Sequence, residues 1–178
     1  ASRSFITVDD YYRTSAPGVY AIGDVIGPPL LAHVASHEGL TAAAHIAGQE
    51  VHPLDYSTVP ACTYCRPQVA SVGLTEAQAE KAGYQVRVGR FPFAASGKAV
   101  AIGEIEGLTK VVIDETTEEI LGVHIIHPEA TELIAEAALA RSHEATASSV
   151  LHTIHAHPTL SEGIMEAMAG ALGRAIHT

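Results

Sequence analysis

The sequence predicts an α+β protein in which a two-layer antiparallel sheet with helices follows the last strands and the helix of an α/β unit. Short β-rich runs alternate with turns rich in Gly and Pro, which is typical of sheets with tight connections. The run at 120–126 is nearly all apolar, as a central strand buried on both faces would be. Helical patterns follow it, the clearest at 131–140. A linker begins at Val51, so we expect a first domain at 1–51 and a second at 52–178.

The first domain contains two short predicted strands and one predicted helix. Residues 5–8 and 19–22 are β-rich, and turn-forming residues at 15–18 separate them. The Ala-rich stretch 30–47 consists of helix formers, and Gly48 stands where a left-handed cap would end the helix. One strand–turn–helix unit is too little for a complete doubly wound domain, so this region alone cannot be one.

The second domain contains the predicted antiparallel sheet and its helices. Residues 69–74 form a predicted strand, and the capping box of Thr75 and Gln78 opens a helix that should stop at Gly83. Glu106 and Gly107 predict a hairpin turn between two further strands. The remaining predicted strands are 84–93, 99–105, 108–114 and 120–126, and the remaining predicted helices are 131–140, 147–154 and 161–170.

The composition excludes several classes of protein. Of 178 residues, 47% are hydrophobic, which is the composition of a folded globular chain. Ten Lys and Arg against twenty Asp and Glu give a net charge of −10, which argues against a nucleic-acid partner. No apolar run reaches the roughly 18 residues of a membrane span, and two Cys are too few for the disulfide framework of a secreted domain. We therefore expect a cytoplasmic protein.

Cys62 and Cys65 have the spacing of a redox dithiol or of half a zinc site. A redox dithiol should open a helix, but Arg66 and Pro67 follow at once and no helix pattern begins there. A zinc site would need a second pair of ligands, and the sequence has no second Cys pair. The pattern therefore favours two small residues on a strand edge, and no metal site is predicted.

His157 is the candidate for acid–base chemistry, because a His side chain exchanges protons near neutral pH. Glu162 follows five residues later, and Pro158 makes a continuous helix between them improbable, so a bend can bring the carboxylate to the imidazole. A carboxylate on one ring nitrogen would fix the tautomer of the His. Thr159 and Glu162 also match a capping box, which would need no catalysis. The other His residues are interpreted as surface or helix-terminal residues, including His124, His127, His152 and His155.

Several segments together resemble the C-terminal part of the pyridine nucleotide–disulfide oxidoreductases. The segments are 14–25, 31–33, 69–76, 120–124 and 155–162, and they extend over almost the whole chain. Segment 155–162 reads HAHPTLSE, and its Leu-Ser-Glu ending resembles the branch of the family that oxidises dihydrolipoamide. The resemblance implies the end of an FAD-binding domain followed by the family's interface, or dimerisation, domain.

The resemblance also implies a share of an FAD site. Gly23 and Asp24 would contact the ribityl and pyrophosphate portion of FAD, and the backbone of Leu31, Ala32 and His33 would meet the flavin ring. The family's glycine-rich phosphate loop, its redox-active Cys pair and its NAD site have no counterpart in this sequence. The implied cofactors are therefore FAD, shared with residues outside this chain, and NAD, bound elsewhere.

By the same resemblance, His157 would take a proton from the dithiol substrate across a homodimer interface, oriented by Glu162. The implied partners are a second copy of the chain and the lipoyl domain, or acyltransferase, of a 2-oxo acid dehydrogenase complex. The chain by itself would be inactive. Two alternatives remain open, namely a non-catalytic dimerisation module and the same region of a mercuric or glutathione reductase.

Overall fold

The computed structural model describes residues 5–177, which divide between Tyr56 and Ser57 into two units. The first unit contains one long helix, α1 (Ala32–Ile46), and a short 3-10 turn at Gly23–Ile26. The second unit contains a sheet and five helices. The predicted domain boundary after residue 51 lies a few residues before this division.

Helix α1 lies where the sequence predicts a helix, and it ends as predicted. Gly48 has φ +68°, and its N–H donates to the carbonyl of His45. The N–H of Gln49 reaches back to the carbonyl of Ala44. These two bonds form a Schellman motif, which needs a left-handed residue that Gly supplies without steric cost.

The two strands predicted for the first domain, 5–8 and 19–22, are wrong. Tyr20 forms only an isolated antiparallel bridge with Arg13, and the N–H of Ile6 donates to the carbonyl of Val25 instead of to a strand. A β-rich run becomes a strand only where a neighbouring strand completes its hydrogen bonds. Within residues 5–56 neither run has such a neighbour.

The second unit is built on a five-stranded sheet whose neighbouring strands are all antiparallel, which confirms the predicted fold class. The spatial order is β1-β2-β5-β4-β3. The apolar run predicted as a central strand is β5, which lies in the middle, and its residues Val123 and Ile125 are fully buried. The strands are β1 (Ala61–Thr63), β2 (Gln68–Gly73), β3 (Val86–Pro92), β4 (Leu108–Asp114) and β5 (Ile120–His127).

The helices cover both faces of the sheet unequally. The long helices pack on one face around the main core, with Ile134 and Met168 among the buried residues. A smaller cluster under Ala79 lies around Val112 and Leu121. The helices of this unit are α2 (Glu76–Lys81), α3 (Gly97–Ile102), α4 (Ala130–Ser142), α5 (Ala147–His152) and α6 (Glu162–Ala171).

Gly89 is required for the contact between β3 and α6. A Cβ built on Gly89 would lie 1.9 Å from the carbonyl oxygen of Ala167, far inside van der Waals contact. The absence of a side chain therefore lets the helix backbone approach the strand closely. This approach packs the second half of α6 against β3.

The strand predicted at 99–105 is wrong, because this segment forms helix α3. The hydroxyl of Ser96 accepts from the N–H of Ala99, and Gly103 ends the helix with φ +74°. A side-chain cap and a left-handed glycine bracket six residues, and these local signals outweigh the strand preference of Val100 and Ile102. The predicted hairpin at Gly107 is therefore not formed, and β4 pairs instead with β3 and β5.

Candidate active site

His157 and Glu162 lie together at the start of α6, as the sequence predicts for a bent chain at Pro158. Nδ1 of His157 is 2.9 Å from Oε1 of Glu162. The His side chain is 77% exposed and the Glu side chain 23%, so the imidazole is open to solvent while its carboxylate partner is largely covered. Glu162 therefore holds one edge of the imidazole in place, and the other edge faces solvent.

Glu162 is anchored through its second carboxyl oxygen. Oε2 accepts from the backbone N–H of Thr159 at 2.8 Å. Burial pushes the pKa of Glu162 upward, but the Thr159 N–H and the neighbouring His157 outweigh it and hold the pKa below its usual value. Glu162 is therefore ionised at neutral pH and accepts at both oxygens.

The capping box predicted for Thr159 and Glu162 is only half formed. The Glu162 carboxylate bonds the Thr159 N–H, but the Thr159 hydroxyl donates to the carbonyl of Ala156 instead of capping a helix N–H. The helix begins at Glu162 itself, and the side chain of the N-cap residue Ser161 does not cap a helix N–H, since its hydroxyl lies 3.0 Å from that of Thr159. The same carboxylate thus orders the turn with one oxygen and orients His157 with the other.

The orientation of His157 follows from its partner. Because an ionised carboxylate can only accept, Nδ1 of His157 is the protonated nitrogen. In the neutral imidazole Nε2 is then an unprotonated acceptor on the exposed side. This is the arrangement that a general base requires.

His155 anchors the same segment, and its interpretation as a surface or helix-terminal residue is wrong. Its side chain is only 6% exposed, and Nε2 lies 2.6 Å from Oε1 of Glu136 on α4. Nδ1 lies 2.9 Å from the carbonyl of Thr153. Both ring nitrogens therefore have a hydrogen-bond partner within the fold. The sequence contains no local signal for this pair, because its members are 19 residues apart.

His127 is also not a surface residue, since it is fully buried under Phe93, with ring centroids 4.1 Å apart. Its Nδ1 accepts from the N–H of Glu129, so Nε2 carries the proton and donates to the carbonyl of Glu104. Both nitrogens are satisfied within the fold. His127 therefore has a structural role.

A second His–Glu pair lies beside the first and was not predicted from the sequence. Nδ1 of His177 is 2.6 Å from Oε1 of Glu166, whose side chain is buried. Both pairs line one cavity of about 260 Å³ next to Phe91. Glu166 is one helical turn after Glu162 on α6, so the two carboxylates share a face of the helix.

The predicted FAD-contacting residues lie together in the first unit. Gly23 has φ +74°, and a Cβ there would meet Cβ of Ala35 on α1 at 3.2 Å, so the turn at Gly23–Ile26 lies directly against the helix. Asp24 is exposed on this turn. A carboxylate of this kind suits the hydroxyl groups of a ribityl chain, because it can accept from them.

The predicted flavin-ring residues form the first turn of α1. Leu31 is the N-cap, with extended backbone and no side-chain cap, while Ala32 and His33 are exposed. The N-terminus of a helix carries partial positive charge and suits negative charge on a bound group. The described residues thus fit one edge of a flavin site.

The two Cys residues are both free thiols. Cys62 lies on β1 at the sheet edge, where burial raises its pKa, and it packs against the core. Cys65 is exposed, and its Sγ donates to the carbonyl of Pro67 at 3.0 Å. Within residues 5–177 no group of three or more His, Cys, Asp or Glu side chains is placed to hold a metal ion. The same part of the chain contains no helix long and apolar enough to cross a membrane.

Comparison with known families accounts for most of the chain. Residues 59–168 match the dimerisation domain of the pyridine nucleotide–disulphide oxidoreductases. The chain belongs to this family. Residues 1–39 match a second family model, described as pyridine nucleotide-disulphide oxidoreductase.

Similar proteins of this oxidoreductase family include the dihydrolipoyl dehydrogenases of Rhizobium etli, Bacillus subtilis and Thermus scotoductus. They are 52%, 53% and 55% identical to this chain over 98%, 97% and 98% of its length. The chain spans 37%, 36% and 38% of these relatives, little more than a third of each. The chain thus corresponds to one part of each of these longer relatives.

Two solved structures have the same fold. The crystal structure of LpdA from Mycobacterium tuberculosis matches with a TM-score of 0.86 and 32% identity, over 92% of this chain and 36% of that one. The HOCl-induced flavoprotein disulfide reductase RclA from Escherichia coli matches with a TM-score of 0.89 over 95% of this chain and 39% of that one. RclA is 24% identical, so this likeness concerns the fold alone.

Proposed function

We propose that the chain is the C-terminal part of a dihydrolipoyl dehydrogenase, which oxidises dihydrolipoamide and passes the electrons through a disulfide and FAD to NAD. The observation that carries this proposal is the His157–Glu162 pair, with the proton on the nitrogen that faces the carboxylate. Relatives named dihydrolipoyl dehydrogenase at about half identity support the substrate class.

In the proposed reaction His157 acts as the base. Nε2 takes the proton of a substrate thiol, which becomes the nucleophilic thiolate. The proton converts the ring to an imidazolium, and the Glu162 carboxylate at 2.9 Å stabilises the charge that forms. Thr159 holds that carboxylate in place through its N–H, and His155 secures the segment to α4. The proton returns to solvent through the exposed edge of the imidazole.

FAD would supply the electron-accepting ring of this reaction. On this chain Asp24 would bind its ribityl hydroxyls, Gly23 would allow the close turn, and the first turn of α1 at residues 31–33 would lie against the ring. The NAD site and the redox-active disulfide would belong to the part of the relatives' length that this chain does not span. The chain alone would therefore bind FAD weakly and have no activity.

A homodimer is part of the proposal, because the matching domain is a dimerisation domain. Ile154 is 96% exposed and Leu139 is 61% exposed, and Ile154 lies three residues before His157. Apolar side chains of this size are the kind that a stable interface covers. The further partner would be a lipoyl domain, which carries the dithiol and belongs to a 2-oxo acid dehydrogenase complex. The reaction would take place in the cytoplasm.

The test uses the full-length flavoprotein that contains this chain. We expect NADH formation from dihydrolipoamide and a loss of about 10²–10⁴ in kcat/KM for His157→Gln, the range of a positioned general base. His52→Gln, a change in the segment between the two family matches, serves as the matched control and should leave the rate unchanged. Turnover of glutathione or mercuric ion in place of dihydrolipoamide would contradict the substrate class. A fully active His157→Gln enzyme would contradict the role of the base.

A further inference from the structure

Glu38 is a buried carboxylate with no role in the proton transfer. It lies on α1, is only 3% exposed, and uses its two oxygens separately. Oε2 accepts from the backbone N–H of Gly23 at 2.6 Å, and Oε1 accepts from the hydroxyl of Tyr56 at 2.7 Å. The hydroxyl of Tyr12 lies 3.2 Å from that of Tyr56. Because Tyr56 has one proton and gives it to Glu38, Tyr12 donates to Tyr56.

The Gly23 N–H and the Tyr56 hydroxyl both donate to the buried Glu38 carboxyl group. A buried carboxylate is costly unless each oxygen is hydrogen-bonded, and here both oxygens are. Burial, together with the bonds to Tyr12 and Glu38, holds the pKa of Tyr56 far above its usual value. Tyr56 therefore remains a donor throughout the working pH range.

The Gly23 end of the network leads to the FAD-contacting turn. Gly23 is the first residue of the 3-10 turn that carries Asp24, and its left-handed backbone lies against Ala35. Ala35 is one helical turn before Glu38, so both residues face the turn from the same side of α1. The bond from Gly23 to Glu38 thus determines the position of Asp24 relative to the start of α1.

We propose that Glu38 is a positioning residue for FAD, which holds the Gly23–Asp24 turn against α1 so that both meet the cofactor at a set spacing. This inference rests on the proposed function. Glu38 itself need not touch the cofactor. Glu38 acts on FAD binding through the backbone N–H of Gly23. FAD affinity should therefore depend on a hydrogen-bond acceptor at position 38 and not on the size of the side chain.

Three substitutions separate the hydrogen-bond acceptor of Glu38 from the volume of its side chain. Glu38→Ala leaves the Gly23 N–H and the Tyr56 hydroxyl without their acceptor. Glu38→Met fills the volume but likewise accepts no strong hydrogen bond. Glu38→Gln keeps an oxygen for Gly23, and its amide can donate to Tyr56 while Tyr56 turns its proton to Tyr12. Positioning therefore predicts that Gln restores what Ala and Met lose.

The experiment is an FAD titration of the apo form of the full-length flavoprotein, followed by flavin fluorescence. Glu38→Ala and Glu38→Met should each raise the Kd for FAD by about tenfold or more, the effect of one buried donor left unpaired. Glu38→Gln should remain within about threefold of the parent value. Asp114→Asn is the matched control, since Asp114 is a buried carboxylate in the other unit that accepts from Thr117. It should lower the melting temperature without changing the Kd.

Amide hydrogen exchange of Gly23 in the apo-protein gives a readout without FAD. We expect faster exchange in Glu38→Ala and Glu38→Met than in the parent, and near-parent exchange in Glu38→Gln. Unchanged FAD affinity and Gly23 exchange in Glu38→Met would overturn the proposal, and so would a Glu38→Gln variant as impaired as Met. A parent protein that does not bind FAD contradicts the proposed function, while Gly23 exchange still tests the role of Glu38.

Discussion

Glu162→Gln distinguishes an orienting carboxylate from a helix-capping one. The wild-type carboxylate accepts twice, from Nδ1 of His157 at 2.9 Å and from the N–H of Thr159 at 2.8 Å. A glutamine has one oxygen and one NH₂ group, so it can replace only one of these bonds. If its oxygen stays on Thr159, the NH₂ faces Nδ1 and forces the proton of His157 to Nε2. His157 then presents a donor where the reaction needs an acceptor.

The size of the effect follows from this geometry. A positioned general base contributes about 10²–10⁴ in rate, and a wrong tautomer removes most of it. The exposed imidazole of His157 can rotate to recover part of the function, so we expect a loss of about 10–10² in kcat/KM for Glu162→Gln. Helix stability should change by less than about 1 kcal/mol, because Gln preserves the bond to Thr159.

The assay is steady-state oxidation of dihydrolipoamide by the full-length flavoprotein, with FAD content and melting temperature measured on the same samples. The His157→Gln enzyme sets the lower limit of the rate. The rate of the Glu162→Gln enzyme should lie between that limit and the rate of the parent enzyme. A Glu162→Gln enzyme with parent kinetics would refute the orienting role. Glu162 would then serve only the turn at Thr159, a role that Gln can fill with little change in melting temperature.

Three further predictions concern the stability of the fold and the residues that hold His157 in place. Gly89→Ala should destabilise the protein by about 3 kcal/mol in urea unfolding, because its Cβ would collide with the backbone of Ala167, whereas Gly97→Ala, with open space around it, should be nearly neutral. The folded-state pKa of Glu162 is lowered, so its stabilising contribution is present above the ordinary carboxyl pKa of about 4.3 and is lost as the pH falls through the folded value. The difference in melting temperature between the parent and Glu162→Gln should therefore shrink between pH 6 and about pH 3, and a constant difference would contradict it. His155→Leu leaves its carboxylate partner on α4 unpaired and should cost about 1–2 kcal/mol, with roughly tenfold slower turnover measured at saturating substrate.

The sequence by itself determined the features that depend on neighbouring residues. The capping box of Thr75 and Gln78 is present as predicted, and Gly48 ends α1 in the left-handed conformation. The nearly all-apolar run that became β5 lies in the centre of the sheet, because a central strand is covered on both faces and needs apolar residues on each. The five-residue spacing from His157 to Glu162 likewise lies within reach of a single bend.

Only the tertiary structure decided the features that join distant parts of the chain. Glu136 meets His155 across 19 residues and Glu38 meets Gly23 across 15, and neither spacing forms a local pattern. Residues 5–8 show the converse, since their β preference is clear but no strand in the described chain pairs with them. A hydrogen bond between remote groups depends on how helices and strands pack, and that packing is settled by the burial of the whole apolar core. Local sequence therefore predicted the contact between His157 and Glu162, and the fold supplied the residues that hold it.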